Sequence, residues 1–221
     1  MNYIELEKYL FSKKDNNFAK FSKSLSNSEY ISIGVKNPVL RSIIKEHKDD
    51  RELRLEDFKL GEYLEIDFIY FGLALTRAKT VFEQMEFLSK NMRYGKSWVL
   101  TDCSQTYLKK CDFDDFYNFF KQMSNSKFEY DRRFAYVFAL KFSKSKEILK
   151  VLPLIKENEK YMVMMAEAWF LATTAIYHFD EIFDYLINLE DFILRRKTIS
   201  KMCQSFRISN EKKETVKKLR I

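Results

Sequence analysis

The chain has 221 residues, with 39 Lys and Arg against 32 Asp and Glu, a formal charge of +7 and a pI near 9.1. Only 4 glycines and 2 prolines occur while aromatics reach 16%, so turn-rich β architectures are excluded and an all-helical protein is expected. Three cysteines without a CxxC pair and two histidines, His47 and His178, argue against a disulfide framework and a His/Cys metal site.

In chain order, nearly every segment carries helical periodicity. IELEKYLFS and NFAKFSKSL place apolar residues at three- and four-residue steps. SIGVKNPVLRSIIKEHK has the punctuation of a helix start. Gly34 permits a turn, Asn37 can cap, Pro38 takes the first helical position, and Val39, Leu40, Ile43 and Ile44 form the stripe. DFKLGEYLEIDFIYFGLALTRAK has a strand-like first part, but its length and lack of turn signals after Gly61 favour helix. Further helices are expected over 81–91, 97–110, 113–122, 131–144, 145–157, 161–177, 179–187, 191–206 and 210–219. No linker divides the chain, so residues 1–221 are read as a single domain. The start MNYIELEKYLFSKKDNN is too charged for a secretory signal. The most apolar run, YMVMMAEAWFLATTAIYHF, contains Glu167 and is short for a membrane span. A cytoplasmic protein without membrane attachment is the expectation.

Three long helices, SWVLTDCSQTYLKK, RRFAYVFALKFSK and MMAEAWFLATTAIYHF, each follow a shorter, more polar one. Trp98, Arg133 and Trp169 recur at about 35-residue spacing, the period of helix-pair repeats. The expected fold is therefore an α–α superhelix of HEAT-like pairs, in which Trp98, Asp102, Arg133 and Trp169 look into one groove. Trp98 and Asp102, four positions apart, share a helix face. An indole facing the core would drag the carboxylate inward at a cost of several kcal/mol if unpaired.

These segments resemble the HEAT-like repeat DNA glycosylases, the AlkD-type DNA alkylation repair family. IGVKNPVLRSIIKE resembles the family's Gly–x–x–x–Pro–x–x–Arg helix start and SWVLTDCSQTY its Trp–x–x–x–Asp helix. RRFAYVFAL resembles its Arg-led helix, AEAWFLATTAIYHF its later Trp helix, and DFILRRKTISKMCQSFRIS its closing helix. The likeness runs in order over most of the chain, with 50–90 the least similar. It implies a monomeric N-glycosylase for cationic N3- and N7-alkylpurines in double-stranded DNA, acting without base flipping, metal or cofactor. Asp102 would stabilise the developing charge, Trp98 and Trp169 would hold the damaged nucleotide, and Arg133 would grip a phosphate. Some members of a shorter branch keep this pattern without base excision. That leaves a non-catalytic protein recognising DNA shape, including branched DNA, as the alternative, and a scaffold for an acidic partner as a third reading.

Each residue also has a plainer reading. Trp169 lies in an almost wholly apolar helix and competes as core, and Glu167 lies about 200° around that helix from it. If Trp169 faces the groove, Glu167 points towards the outer layer and needs a partner; if Glu167 faces the groove, Trp169 is core. Arg132 takes the phosphate if the register shifts by one. Phe18 and Phe21 divide evenly between core and site, and KKETVKKLR reads as a solvated face.

Overall fold

A computed structural model describes residues 1–26, 28–156 and 160–220, the side chains of 25, 26 and 220 excepted. Among the described residues the fold is all-α. The helices are α1 (Tyr3–Ser12), α2 (Asn16–Ser26), α3 (Asn37–His47), α4 (Leu64–Arg77), α5 (Val81–Asn91), α6 (Trp98–Ser104), α7 (Phe113–Ser124), α8 (Glu129–Ala139), α9 (Tyr161–Thr174), α10 (Phe179–Ile187), α11 (Phe192–Gln204) and α12 (Asn210–Lys217). No described helix is long and apolar enough to cross a membrane. The chain forms two compact units, Met1–Lys110 and Cys111–Ile221.

In the first unit, α4 packs against α3, α5 and α6. It is buried on nearly every face, which explains its lack of a clean apolar stripe. Gly72 permits the close approach of α3, because a Cβ there would meet Ile44 Cδ1 at 2.3 Å. Gly34 makes the turn the sequence calls for, at φ +93°, and a Cβ would lie 2.0 Å from the Asp15 carbonyl oxygen. The loop before α3 is thereby seated on the start of α2. Helix α3 begins one residue earlier than its punctuation suggests. Lys36 occupies the cap position without a side-chain hydrogen bond, so Asn37 does not cap.

Residues 58–63 are not helical. A single β-bridge joins Ile31 to Tyr63, with Ile31 N donating to Glu62 O at 2.9 Å and Leu64 N to Ile31 O at 3.1 Å. The strand-like look of that stretch is thus real, but limited among the described residues to one bridge. The helix expected over 97–110 stops at Ser104 and continues only as a tight turn through Tyr107. The buried Gln84 side chain is the cause. It donates to Tyr107 O at 3.0 Å and accepts from Lys109 N at 2.8 Å, supplying bonds a helix would have made internally.

In the second unit, α8 packs on α7 and α9, and α9 packs on α11. Its core is aromatic. Phe116 stacks on Phe142 with centroids 4.2 Å apart and meets Phe138 edge-on at 5.2 Å, the geometries ring quadrupoles prefer. Residues 146–154 form a 3₁₀ helix containing Pro153 rather than an α-helix, and the expected end at 157 lies outside the described residues. The ends expected at 177 and 206 retreat to Thr174 and Gln204.

Candidate functional site

Helix α6 starts at Ser97, whose hydroxyl caps it by accepting from Val99 N at 3.2 Å. Leu100, Thr101 and Ser104 turn inward and are buried. Trp98 and Asp102, one turn apart, are both partly exposed, as expected of a pair sharing the opposite face. The Thr101 hydroxyl lies 2.8 Å from Trp98 O and 2.9 Å from Asp102 Oδ1. Its single proton serves one acceptor at a time. The fold therefore solves the problem of an indole beside a carboxylate by leaving both at the boundary with solvent.

Trp98 lines a cleft of about 130 Å³ together with Phe18, Phe21, Val35, Leu40 and Glu65. Phe18 and Phe21 approach each other at 6.2 Å, and Phe21 is exposed. Both therefore stand beside Trp98 rather than in the core. Arg41 of α3 is a neighbour the sequence reading leaves without a role, although it closes the Gly–x–x–x–Pro–x–x–Arg pattern. Its guanidinium acts on Cys103, next to Asp102. Burial raises the Cys103 thiol, and Arg41 partly opposes that shift.

The other two candidates lie in the second unit, in different settings. Arg133 is 6% exposed, and its Nη1 donates to Met162 O at 2.7 Å, tying α8 to the first turn of α9. One of its five N–H donors thus links the two helices. Arg132, one position earlier, is partly exposed and lies near Tyr136, whose hydroxyl bonds the buried Glu167. Burial first, then Glu167, holds the Tyr136 phenol well above its usual range. Burial, then Glu167, pushes Tyr185 up to about 12. Glu167 is thus buried beside Tyr136, on another side of α9 from Trp169.

Trp169 is partly exposed and lines a shallow cleft of about 220 Å³ with Thr173, Lys201, Gln204, Ser205 and Arg207. Lys201 and Arg207 are the cations that sequence reasoning left unassigned. Their signal was present in the closing-helix segment, where basic residues recur at helical spacing. A second cleft along α11, of about 390 Å³, is lined by Phe192, Ile193, Arg196, Lys197 and Ser200. The α11 surface is accordingly basic with aromatic and aliphatic residues interleaved, a chemistry suited to phosphates and bases. No group of three or more potential metal ligands occurs among the described residues.

A family model described as DNA alkylation repair enzyme matches residues 5–206. No curated protein and no solved structure shows a significant match.

Proposed function

The chain belongs to the DNA alkylation repair enzyme family, and from that premise we propose that it is an N-glycosylase for cationic alkylpurines in duplex DNA. One observation carries this reading: Trp98 and Asp102 stand partly exposed on one side of α6 while the opposite face, Leu100, Thr101 and Ser104, is buried. Alkylation at N3 or N7 puts positive charge on the purine. An indole face attracts that cation by roughly 0.5–2 kcal/mol. As the C1′–N bond breaks, its electron pair leaves with the base and neutralises it, and positive charge passes to the sugar. Asp102 stabilises that charge, and water adds to C1′ with loss of a proton. The leaving group arrives already cationic, so the chemistry asks for neither a metal nor a general acid. The cleft beside Trp98, about 130 Å³, is smaller than the roughly 300 Å³ at which ligand pockets begin. That supports action without a flipped-base pocket.

Trp169 with Lys201 and Arg207 supplies contacts to the sugar–phosphate backbone. Arg133, whose Nη1 is engaged at Met162 O on the first turn of α9, is the proposed phosphate contact of this unit, since a guanidinium carries five donors. The basic α11 clefts also fit a second reading, a DNA-binding protein that keeps the site pattern without excising bases.

The test is release of free base from duplex DNA carrying N3- or N7-methylpurine, comparing wild type with Asp102→Asn. Glycosylase action predicts release by the wild type and a loss of roughly 10²-fold or more in the variant. Intact DNA binding with no release by the wild type selects the second reading.

A further inference from the structure

Phe206, in the turn between α11 and α12, is the most exposed large apolar side chain among the described residues, at 102% of the reference exposure. The turn that carries it is anchored on both sides. Ser205 N donates to Met202 O at 3.2 Å, and Arg207 N donates to Ser205 Oγ at 3.2 Å. Ile208 is buried, and Ser209 caps α12 by accepting from Lys212 N at 3.3 Å. The ring thus projects from a turn whose backbone is already fixed, which lowers the backbone entropy lost when it meets a partner.

A single exposed apolar residue usually needs no explanation. Two further facts set this one apart. Its neighbours on either side, Ser205 and Arg207, line the cleft beside Trp169. The segment 191–221 that contains it holds ten Lys and Arg against three Asp and Glu, a net charge equal to the +7 of the whole chain. Residues 1–190 are therefore balanced, and the exposed ring stands in the stretch that holds the chain's net positive charge.

We propose that Phe206 is a base-stacking residue. This inference rests on the DNA-binding reading above and adds a contact to it. Lys201 and Arg207 draw the phosphate backbone to the cleft beside Trp169, and the Phe206 ring enters the duplex from the turn, partly unstacking a base step. Such wedges tolerate any sequence, because every base presents a π-face. A helical-repeat protein that keeps lesions within the duplex gains by this a means of opening the stack locally.

The test measures affinity for a duplex oligonucleotide over a range of salt for wild type, Phe206→Ala and Phe206→Trp. Stacking predicts that F206A binds roughly tenfold more weakly at fixed salt with an unchanged salt slope, since no charge is removed. The thermal midpoint of F206A stays at the wild-type value because the ring touches no core. The F206W indole is quenched on binding, beyond any change seen in wild type. Equal affinity of F206A and wild type, or unquenched F206W emission in the bound state, overturns the proposal. So does self-association of the wild type that F206A abolishes without altering DNA affinity, which assigns the ring to a protein contact. Failure of the wild type to bind DNA removes the DNA reading itself, and this inference with it.

Discussion

Glu65 and Asp67 sit two positions apart in the first turn of α4, both buried, and meet different partners. Glu65 accepts from the backbone N–H groups of Ile33, Gly34 and Val35 at 3.0, 2.8 and 3.3 Å and from the Ser32 hydroxyl at 2.9 Å. It thereby fixes the loop in front of α3. Asp67 accepts from the Tyr30 hydroxyl at 2.6 Å and Gly61 N at 3.0 Å. Burial nonetheless raises its carboxyl above the ordinary 3.8, with Tyr30, Gly61 and Lys96 opposing. A raised carboxyl binds its proton more tightly in the fold than in the unfolded chain. Its contribution is complete below about pH 3.8 and is lost as pH rises through the folded value. The difference in unfolding free energy between wild type and Asp67→Asn should therefore shift against the wild type as pH rises from 3.5 toward neutrality. Urea midpoints at matched pH check this, and a pH-independent difference would refute it. Local spacing made Trp98 and Asp102 readable, because an i, i+4 pair depends only on its own helix. The hydrogen bonds of Glu65 and Arg133 were not readable. Their partners lie about thirty residues away, and no periodicity records a carbonyl waiting at Met162.

Elements here are tied at their ends as much as along their faces. A helix C-terminus leaves carbonyls without intrahelical partners, and Arg77 at the end of α4 gathers those of a neighbour. Its guanidinium donates to His47 O and Asp50 O at 2.9 Å each, and to Lys48 O and Leu53 O at 2.8 Å each. One side chain thus closes α3 and shapes the loop after it. Arg77→Met should destabilise the protein by about 2 kcal/mol, the scale for charged hydrogen bonds removed from partly buried acceptors. Arg77→Lys should recover less than half of that, because an ammonium lacks the planar fork that spans several acceptors. Chemical denaturation monitored by circular dichroism measures both variants, and full rescue by lysine would refute the fork. Most helices were legible from spacing alone. Their ends were not, wherever a distant side chain took over the backbone. Gln84 stops α6 by claiming Tyr107 and Lys109, and nothing within 97–110 announces it.

At the scale of the whole molecule, the decisive property is where the charge lies. A net +7 spread evenly would say little beyond solubility, but residues 191–221 carry all of it. The sequence reading took KKETVKKLR as a solvated face, and it missed that the excess begins upstream, on the surface α11 shares with Trp169. Each cation that neutralises a DNA phosphate releases counterions, so log K falls with log salt at a slope near −0.9 per contact. Arg196, Lys197, Lys201 and Arg207 line the two clefts along α11. Replacing all four with Gln should make that slope shallower by roughly 2 to 4 units. Replacing Lys8, Lys13, Lys14 and Lys20, four exposed cations of the balanced region, removes the same formal charge and should leave the slope within one unit. Titrations from low to moderate salt separate the two sets. Equal losses would mean that binding responds only to net charge. A larger loss from the second set would move the phosphate track to the first unit.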